Sequence, residues 1–274
     1  MTNSPEFKEN KTLSQPITSE RRPVLLVGAG PGAADLITLR GARALREAEV
    51  VLYDDLANPE LLELCGPEAE RIYVGKRAGS HSVKQGEINA LLIEKARTGK
   101  RVVRLKGGDP MFFGRTAEEI EALATAGFAF EIVPGVTAAT AAGAAAGIPL
   151  TQRGVTSTAV FVAGHACADR NGTPVDWRAL AALRATLCIY MGTRHFAEIA
   201  RELAAGGLPE STPVAVVAGA TLTEQSLRVG TLAEGDALLG NLDGRPALIV
   251  VGEVVRWSEL AAAAAQSVPL GCEI

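Results

Sequence analysis

Val24-Leu-Leu-Val-Gly28-Ala29-Gly30-Pro31-Gly32-Ala33 decides how the first half of the chain is read. An aliphatic run enters Gly-x-Gly-x-x-Ala, and helical apolar spacing follows over Asp35–Arg46. A strand that turns tightly into a helix opens a parallel βαβ unit. The next apolar run, Val50–Tyr53, ends in Asp54 and Asp55, where a dinucleotide-binding fold places its ribose-binding acid. Pro31 speaks against that ligand. The fingerprint works by aiming backbone N–H groups at a pyrophosphate, and proline has none. From the loop alone, a nicotinamide or flavin site and a tight turn that binds nothing both stay open.

Outward from this loop, β-type runs alternate with helical patterns. Arg71–Val74, Arg101–Leu105 and Phe130–Val133 read as further strands, with helices over Gln85–Arg97 and Thr116–Thr125 between them. Thr116 and Glu119 have capping-box spacing, and Gly127 is a natural helix stop. Such alternation implies a mostly parallel sheet with right-handed crossovers. Val133-Pro134-Gly135 breaks the rhythm, and the small-residue segment Val136–Ile148 follows. Strands then resume at Ala159–Ala163, Thr186–Met191, Pro213–Val217, Leu227–Val229 and Leu248–Val251. Helices near Trp177–Leu183 and Phe196–Ala205 separate only the early ones, so a mixed sheet is predicted there. The expected organisation is a flexible tail over 1–21, an α/β domain over 22–134, a second over 135–257 and a tail over 258–274.

Composition fits a globular chain. Of 274 residues 47% are hydrophobic but only 4% aromatic, so the core must be aliphatic, and 46 alanines favour helix. The four cysteines (65, 167, 188, 272) form no Cys-x-x-Cys pair, and three histidines (81, 165, 195) show no zinc spacing, so no metal is expected. Cys188, inside the apolar run Leu187–Met191, reads as a small buried hydrophobe. The polar N-terminus has no secretory h-region, and the alanine stretch near 138–146 is too short to span a bilayer. A cytoplasmic protein without membrane contact is expected.

Charge is unevenly placed. Between Arg71 and Arg115 stand eleven Lys/Arg and three Asp/Glu, a net +8 in a chain of net −4. That distribution argues against general nucleic-acid binding and for a compact polyanion. A second glycine loop, Lys106-Gly107-Gly108-Asp109-Pro110, follows the strand Arg101–Leu105. Gly-Asp-Pro is good turn chemistry, yet two such loops at strand ends of one sheet are placed to share a crevice. Lys76, Arg77 and His81 follow the third strand; with Lys106 and Arg115 they are candidates for an anion site. Lys95, Arg97, Lys100 and Arg101 read instead as a helix end and a solvated face.

These motifs together resemble the tetrapyrrole methylase family, and within it the uroporphyrinogen-III C-methyltransferase branch. The likeness runs from about Val24 to about Val255. It rests on Val27-Gly-Ala-Gly-Pro-Gly32, Tyr53-Asp54, Val74-Gly-Lys-Arg77 with His81-Ser82, and Arg104-Leu-Lys-Gly-Gly-Asp-Pro110. Phe113-Gly-Arg115, Val133-Pro-Gly135, Gly147-Ile-Pro-Leu-Thr151, Tyr190-Met-Gly192 and Ile249-Val-Val-Gly-Glu-Val254 complete it. Thr116-Ala117, Gln152 and the non-basic Gly219–Ser226 depart from the pattern.

The resemblance implies two α/β domains with S-adenosyl-L-methionine in the cleft between them, and a homodimer. It implies transfer of two methyl groups onto ring carbons of uroporphyrinogen III, giving precorrin-2 for sirohaem or corrinoids, with S-adenosylhomocysteine as by-product. Carried over by motif, the cofactor contacts are Pro31, Gly107, Gly108, Asp109, Phe112, Thr137, Ala138, Met191, Ala220 and Ala247. Proton acceptor and donor fall on Asp54 and Lys76, and the substrate's eight carboxylates would meet Arg77, His81, Lys106 and Arg115. Pro31 is then no defect, because this cofactor has no phosphate. The chain is too short for an added dehydrogenase–chelatase module, so a stand-alone methyltransferase is expected. Competing readings are methylation of a later corrin precursor, a nicotinamide oxidoreductase and a non-catalytic tetrapyrrole carrier.

Overall fold

The computed structural model describes residues 22–75, 83–164 and 174–266. They fall into two compact units that divide at Thr137/Ala138. The expected tail over 1–21 lies outside the described residues.

The first unit runs β1 (Val24–Gly28), α1 (Leu39–Glu47), β2 (Val50–Tyr53), β3 (Glu70–Tyr73), α2 (Gln85–Arg97), β4 (Val102–Lys106), α3 (Thr116–Thr125) and β5 (Phe130–Val133). Its five strands are all parallel, in the order β3-β2-β4-β1-β5. Every residue of β4 is buried, and β1 and β2 nearly so, as strands covered on both faces must be. One face packs Val27, Val51, Val103 and Leu105 under α1 and a 3₁₀ segment at Pro59–Leu64. The other packs Leu26, Leu52 and Val102 under Ile88 and Leu92 of α2 and Leu123 of α3.

Two local expectations change. The helix predicted from Asp35 begins only at Leu39, after a 3₁₀ turn at Ala34–Leu36 and an extended Ile37–Thr38, and Thr38 caps it through Gly41 N–H at 3.1 Å. Thr116 and Glu119 form no capping box. Arg115, with φ 53°, is the N-cap residue, the Thr116 hydroxyl donates to the Pro110 carbonyl, and the Glu119 carboxylate faces β4. Gly127 does end α3, with φ 76°. Gly127 N–H donates to Ala124 and Phe128 N–H to Leu123, and those last two side chains pack together in the core.

The second unit runs α4 (Ala138–Ala145), β6 (Ala159–Ala163), α5 (Trp177–Ala182), β7 (Thr186–Tyr190), α6 (Phe196–Ala205), β8 (Pro213–Ala218), β9 (Ser226–Thr231), β10 (Ala247–Val251) and α7 (Trp257–Gln266). Its sheet, in the order β6-β7-β10-β8-β9, is mixed: β6 and β7 pair in parallel and all other pairs are antiparallel. Alanine dominates α4, which lets Ala139 and Ala142 sit flat against Cys188, Ala215 and Val250 of the sheet. The tail expected from residue 258 is helical through Gln266. Ser258 is buried with its hydroxyl on the Val255 carbonyl at 2.7 Å, and the alanine run supplies the propensity.

Candidate functional site

In the first unit the winding reverses between the adjacent strands β1 and β4. The connection leaving β1 covers one face of the sheet, and that leaving β4 covers the other. Open parallel sheets form their ligand crevice at such a point, beyond the carboxyl ends of the strands. Both glycine loops stand there, and backbone hydrogen bonds join them. Gly30 N–H donates to Gly108 O at 3.2 Å, Gly108 N–H to Gly30 O at 2.7 Å, and Ala29 N–H to Lys106 O at 2.7 Å.

Two further strand ends are tied to this pair. Asn58, after β2, donates to the Gly32 carbonyl at 2.9 Å. Asp109 accepts from Gly135 N–H, after β5, at 2.9 Å and from Met111 N–H at 2.8 Å. Its carboxylate therefore braces the loops, so a ligand at Asp109 would meet backbone. Contact between the loops is backbone to backbone. A Cβ on Gly28 would lie 2.6 Å from Gly135 Cα, and one on Gly135 would overlap the Gly108 carbonyl oxygen. The space beside Gly107 is filled by Leu56. Met111, Phe112 and Phe113 form an exposed apolar turn, with Phe113 at φ 54° and Arg115 at φ 53°.

This arrangement argues against the dinucleotide reading. The amides of Ala29 and Gly30 are spent on the second loop, Pro31 has none, and the following α-helix starts eight residues later, at Leu39. Only a single 3₁₀ turn, Ala34–Leu36, follows the glycine loop directly, so the loop is not backed by the α-helix N-terminus on which that fingerprint relies.

Below the crevice lies a charged cluster that the sequence reading did not assemble. Arg104 and Lys106 alternate with Leu105 on β4 and so share the face turned to α3. Arg104 is 4% exposed and Glu119 not at all. The guanidinium donates through Nη2 to Asp54 Oδ2 at 2.7 Å, through Nε to Glu119 Oε1 at 3.2 Å and through Nη1 to the Leu105 carbonyl at 2.8 Å. Lys106 Nζ bonds Glu119 Oε2 at 2.8 Å, and Gln85 Nε2 reaches Oε1 at 3.4 Å. Two cations and two carboxylates are thus mutually paired, which such burial requires. Burial, then the neighbouring Arg104 charge, pulls the Lys106 ammonium below its usual 10.5 against the opposing pull of Glu119. Asp54, at the end of β2, also accepts Leu56 N–H on Oδ1 at 3.1 Å, and its side chain is 24% exposed.

Lys106 is therefore corrected: an enclosed ammonium already held by Glu119 is not offered to a substrate carboxylate. Arg115 is exposed and makes two bonds to Glu118, at 2.7 and 2.8 Å. Lys76, Arg77 and His81 lie outside the described residues. The signal for Arg104 and Glu119 was present as two cations spaced i, i+2 in an otherwise apolar strand, with an acid in the next helix.

In the second unit, three expected contacts collect at one end of the sheet. Met191 follows β7 with φ 54°, Ala220 lies two residues past β8, and Ala247 opens β10. The register pairs Leu248 with Tyr190 and Ala247 with Ala218, which brings these strand ends side by side. The Tyr190 hydroxyl accepts Ala139 N–H at 2.9 Å, so the N-terminus of α4, with Ala138, reaches the same end. Thr137 is a buried residue of the first unit. Among the described residues no group of three or more His, Cys, Asp or Glu is placed to hold a metal ion, and no helix is long and apolar enough to cross a membrane.

Residues 23–236 match the family model for tetrapyrrole (corrin/porphyrin) methylases. The chain is 55% identical over 232 residues to siroheme synthase 1 of Yersinia enterocolitica, covering 85% of this chain and 48% of that protein. It thus spans about half the length of the curated relatives it matches. A uroporphyrin-III C-methyltransferase from Thermus thermophilus is similar in structure, with TM-score 0.74, 41% identity and coverage of 86% of this chain and 99% of that one; it was solved with S-adenyl homocysteine. A cobalt precorrin-4 methyltransferase gives TM-score 0.76 at 32% identity, over 85% of this chain and 95% of that one.

Proposed function

The chain belongs to the tetrapyrrole methylase family, and from that premise we propose that it methylates uroporphyrinogen III twice, using S-adenosyl-L-methionine and giving precorrin-2. The observation that carries this reading is the 41% identity to a uroporphyrin-III C-methyltransferase over 99% of that enzyme's length.

The residues present fit the cofactor. The loops after β1 and β4 offer glycine backbone and an apolar turn, and the amides of Ala29, Gly30 and Gly108 are already bonded between the loops. S-adenosyl-L-methionine carries a purine, a carboxylate, an amine and a sulfonium, and no phosphate. Pro31, Gly107, Gly108, Asp109, Phe112 and Thr137 in the first unit, and Ala138, Met191, Ala220 and Ala247 in the second, are the proposed contacts. When bound, it supplies a methyl group already activated by the sulfonium. The protein's share is to align an electron-rich ring carbon with that methyl and to exclude water.

Each methylation releases one proton from the substrate's ring system. Asp54 is the proposed acceptor: a partly exposed carboxylate at the crevice, held by two hydrogen bonds. Lys76 is the proposed donor. Arg77, His81 and Arg115 are proposed to meet substrate carboxylates as charge-assisted partners. The acting form is proposed to be a homodimer, and its compartment the cytoplasm.

Anaerobic incubation with uroporphyrinogen III and methyl-labelled cofactor is expected to place two labels on the tetrapyrrole; an unlabelled tetrapyrrole overturns the proposal. The structural likeness to a cobalt precorrin-4 methyltransferase supports a second reading, methylation of a later corrin precursor. Side-by-side kcat/KM values for the two substrates decide between them.

A further inference from the structure

Arg104 is a costly residue to place on β4. An aliphatic side chain between β4 and α3 would need no partner, whereas a buried guanidinium must be compensated at every donor. The compensation here is directional. Three nitrogens of one planar group point at three fixed acceptors: Asp54 Oδ2, Glu119 Oε1 and the Leu105 carbonyl. Glu119 is itself held by Lys106 and Gln85, so the acceptor that anchors the guanidinium is tied to two further side chains. A lysine could not span these acceptors.

The outer end of this chain of contacts is Asp54. With Oδ2 on Arg104 and Oδ1 on Leu56 N–H, its plane is fixed while part of its surface faces solvent at the crevice. A reacting carboxylate locked by a buried second layer is what precise proton transfer requires. The remaining members supply charge balance and anchorage, and none of them needs to reach the substrate.

We propose that Arg104, anchored by Glu119, is the positioning residue that sets the orientation of Asp54 for methyl transfer. This inference rests on the reading of Asp54 as the proton acceptor. It makes Arg104 act through Asp54 and through nothing else.

The test is a double-mutant cycle on the full chain, read as kcat and KM for uroporphyrinogen III methylation and as cofactor Kd by calorimetry. Asp54→Asn is expected to lower kcat by about 100-fold or more, the usual range for a lost acid–base group. Arg104→Gln is expected to lower kcat by about 10- to 100-fold, as misplacement of a reacting group does, with KM and cofactor Kd within about threefold of wild type. The double variant should match Asp54→Asn alone, because a positioning residue has nothing left to position. Multiplication of the two losses, or a loss carried by cofactor Kd, overturns the role of Arg104 while leaving Asp54 in place. Full turnover in Asp54→Asn overturns both readings. If Arg104→Gln does not fold, Arg104→Gln/Glu119→Gln removes the guanidinium with its buried counter-ion and enters the same cycle.

Discussion

Gly30 and Gly108 exchange backbone hydrogen bonds, at 3.2 Å in one direction and 2.7 Å in the other. They sit in different loops, after β1 and β4, and the exchange makes the two loops one backbone unit at the switch point of the parallel sheet. The bonds also consume the amides that a dinucleotide fingerprint would present to a pyrophosphate. A sequence motif shared with nucleotide-binding folds is here used to build a wall.

Ligand choice should follow. Calorimetry is expected to show binding of S-adenosyl-L-methionine and of S-adenosylhomocysteine, and no heat with NAD or NADP. Dinucleotide binding comparable to that of S-adenosyl-L-methionine would mean that the two loops separate in solution.

Close approach of these loops leaves no room for a side chain. Gly135→Ala places a Cβ against the Gly108 carbonyl and 2.9 Å from Gly28 Cα, all backbone that cannot rotate away. A loss of about 1–3 kcal/mol, the usual cost of overpacking, is expected by denaturant unfolding. Gly86, in α2, is the control: a Cβ there meets nothing within 4 Å. Gly86→Ala should stabilise by about 0.4–1 kcal/mol through the unfolded chain. Equal effects of the two substitutions would refute the packing argument.

How far the sequence was legible depended on whether a signal was local. The strands were readable because each is a short apolar run bounded by turn residues, and α2 and α6 kept their expected bounds of Gln85–Arg97 and Phe196–Ala205. Glu119 was misread because capping-box spacing is local while its partners on β4 are not. The net +8 of Arg71–Arg115 is likewise lowered by partners that are mostly distant in sequence. Lys95 pairs with Glu70, Arg101 with Glu49, Arg104 with Asp54 and Glu119, Lys106 with Glu119, and Arg115 with Glu118. Glu49, Asp54, Glu70, Glu118 and Glu119 all lie outside the counted segment, so counting these five partners lowers its +8 to +3. A linear charge count overstates what is available to a polyanionic substrate.

The two described cysteines should be inert. Burial pushes the Cys188 thiol up to about 12 and raises that of Cys65, against a weaker opposing pull from Arg71. Thiolate is the reactive form, so both should resist alkylation in the native protein. In a Cys167→Ser/Cys272→Ser variant, a colorimetric thiol titration is expected to find neither group before unfolding and both after it. Rapid native labelling of Cys188 would contradict its place beneath α4.

Lys106 gives a proton-linked signature of the buried cluster. Its ammonium titrates below 10.5 in the folded protein because burial, more than the Arg104 charge, disfavours the charged form; Glu119 recovers only part of that. Between the depressed value and 10.5 the unfolded chain therefore binds more protons than the native one. Stability contributed by this group must rise with pH across that interval, since the slope follows the excess protons bound on unfolding. Below the interval the buried charge is a standing cost. Lys106→Met removes the titration but leaves Glu119 paired with Arg104 at 3.2 Å. The difference in unfolding free energy between wild type and Lys106→Met, measured by denaturant titration from neutral pH up to 10.5, should shift progressively in favour of wild type. A difference that stays flat over that range would show that the lysine titrates normally, and that water reaches the cluster in the folded state.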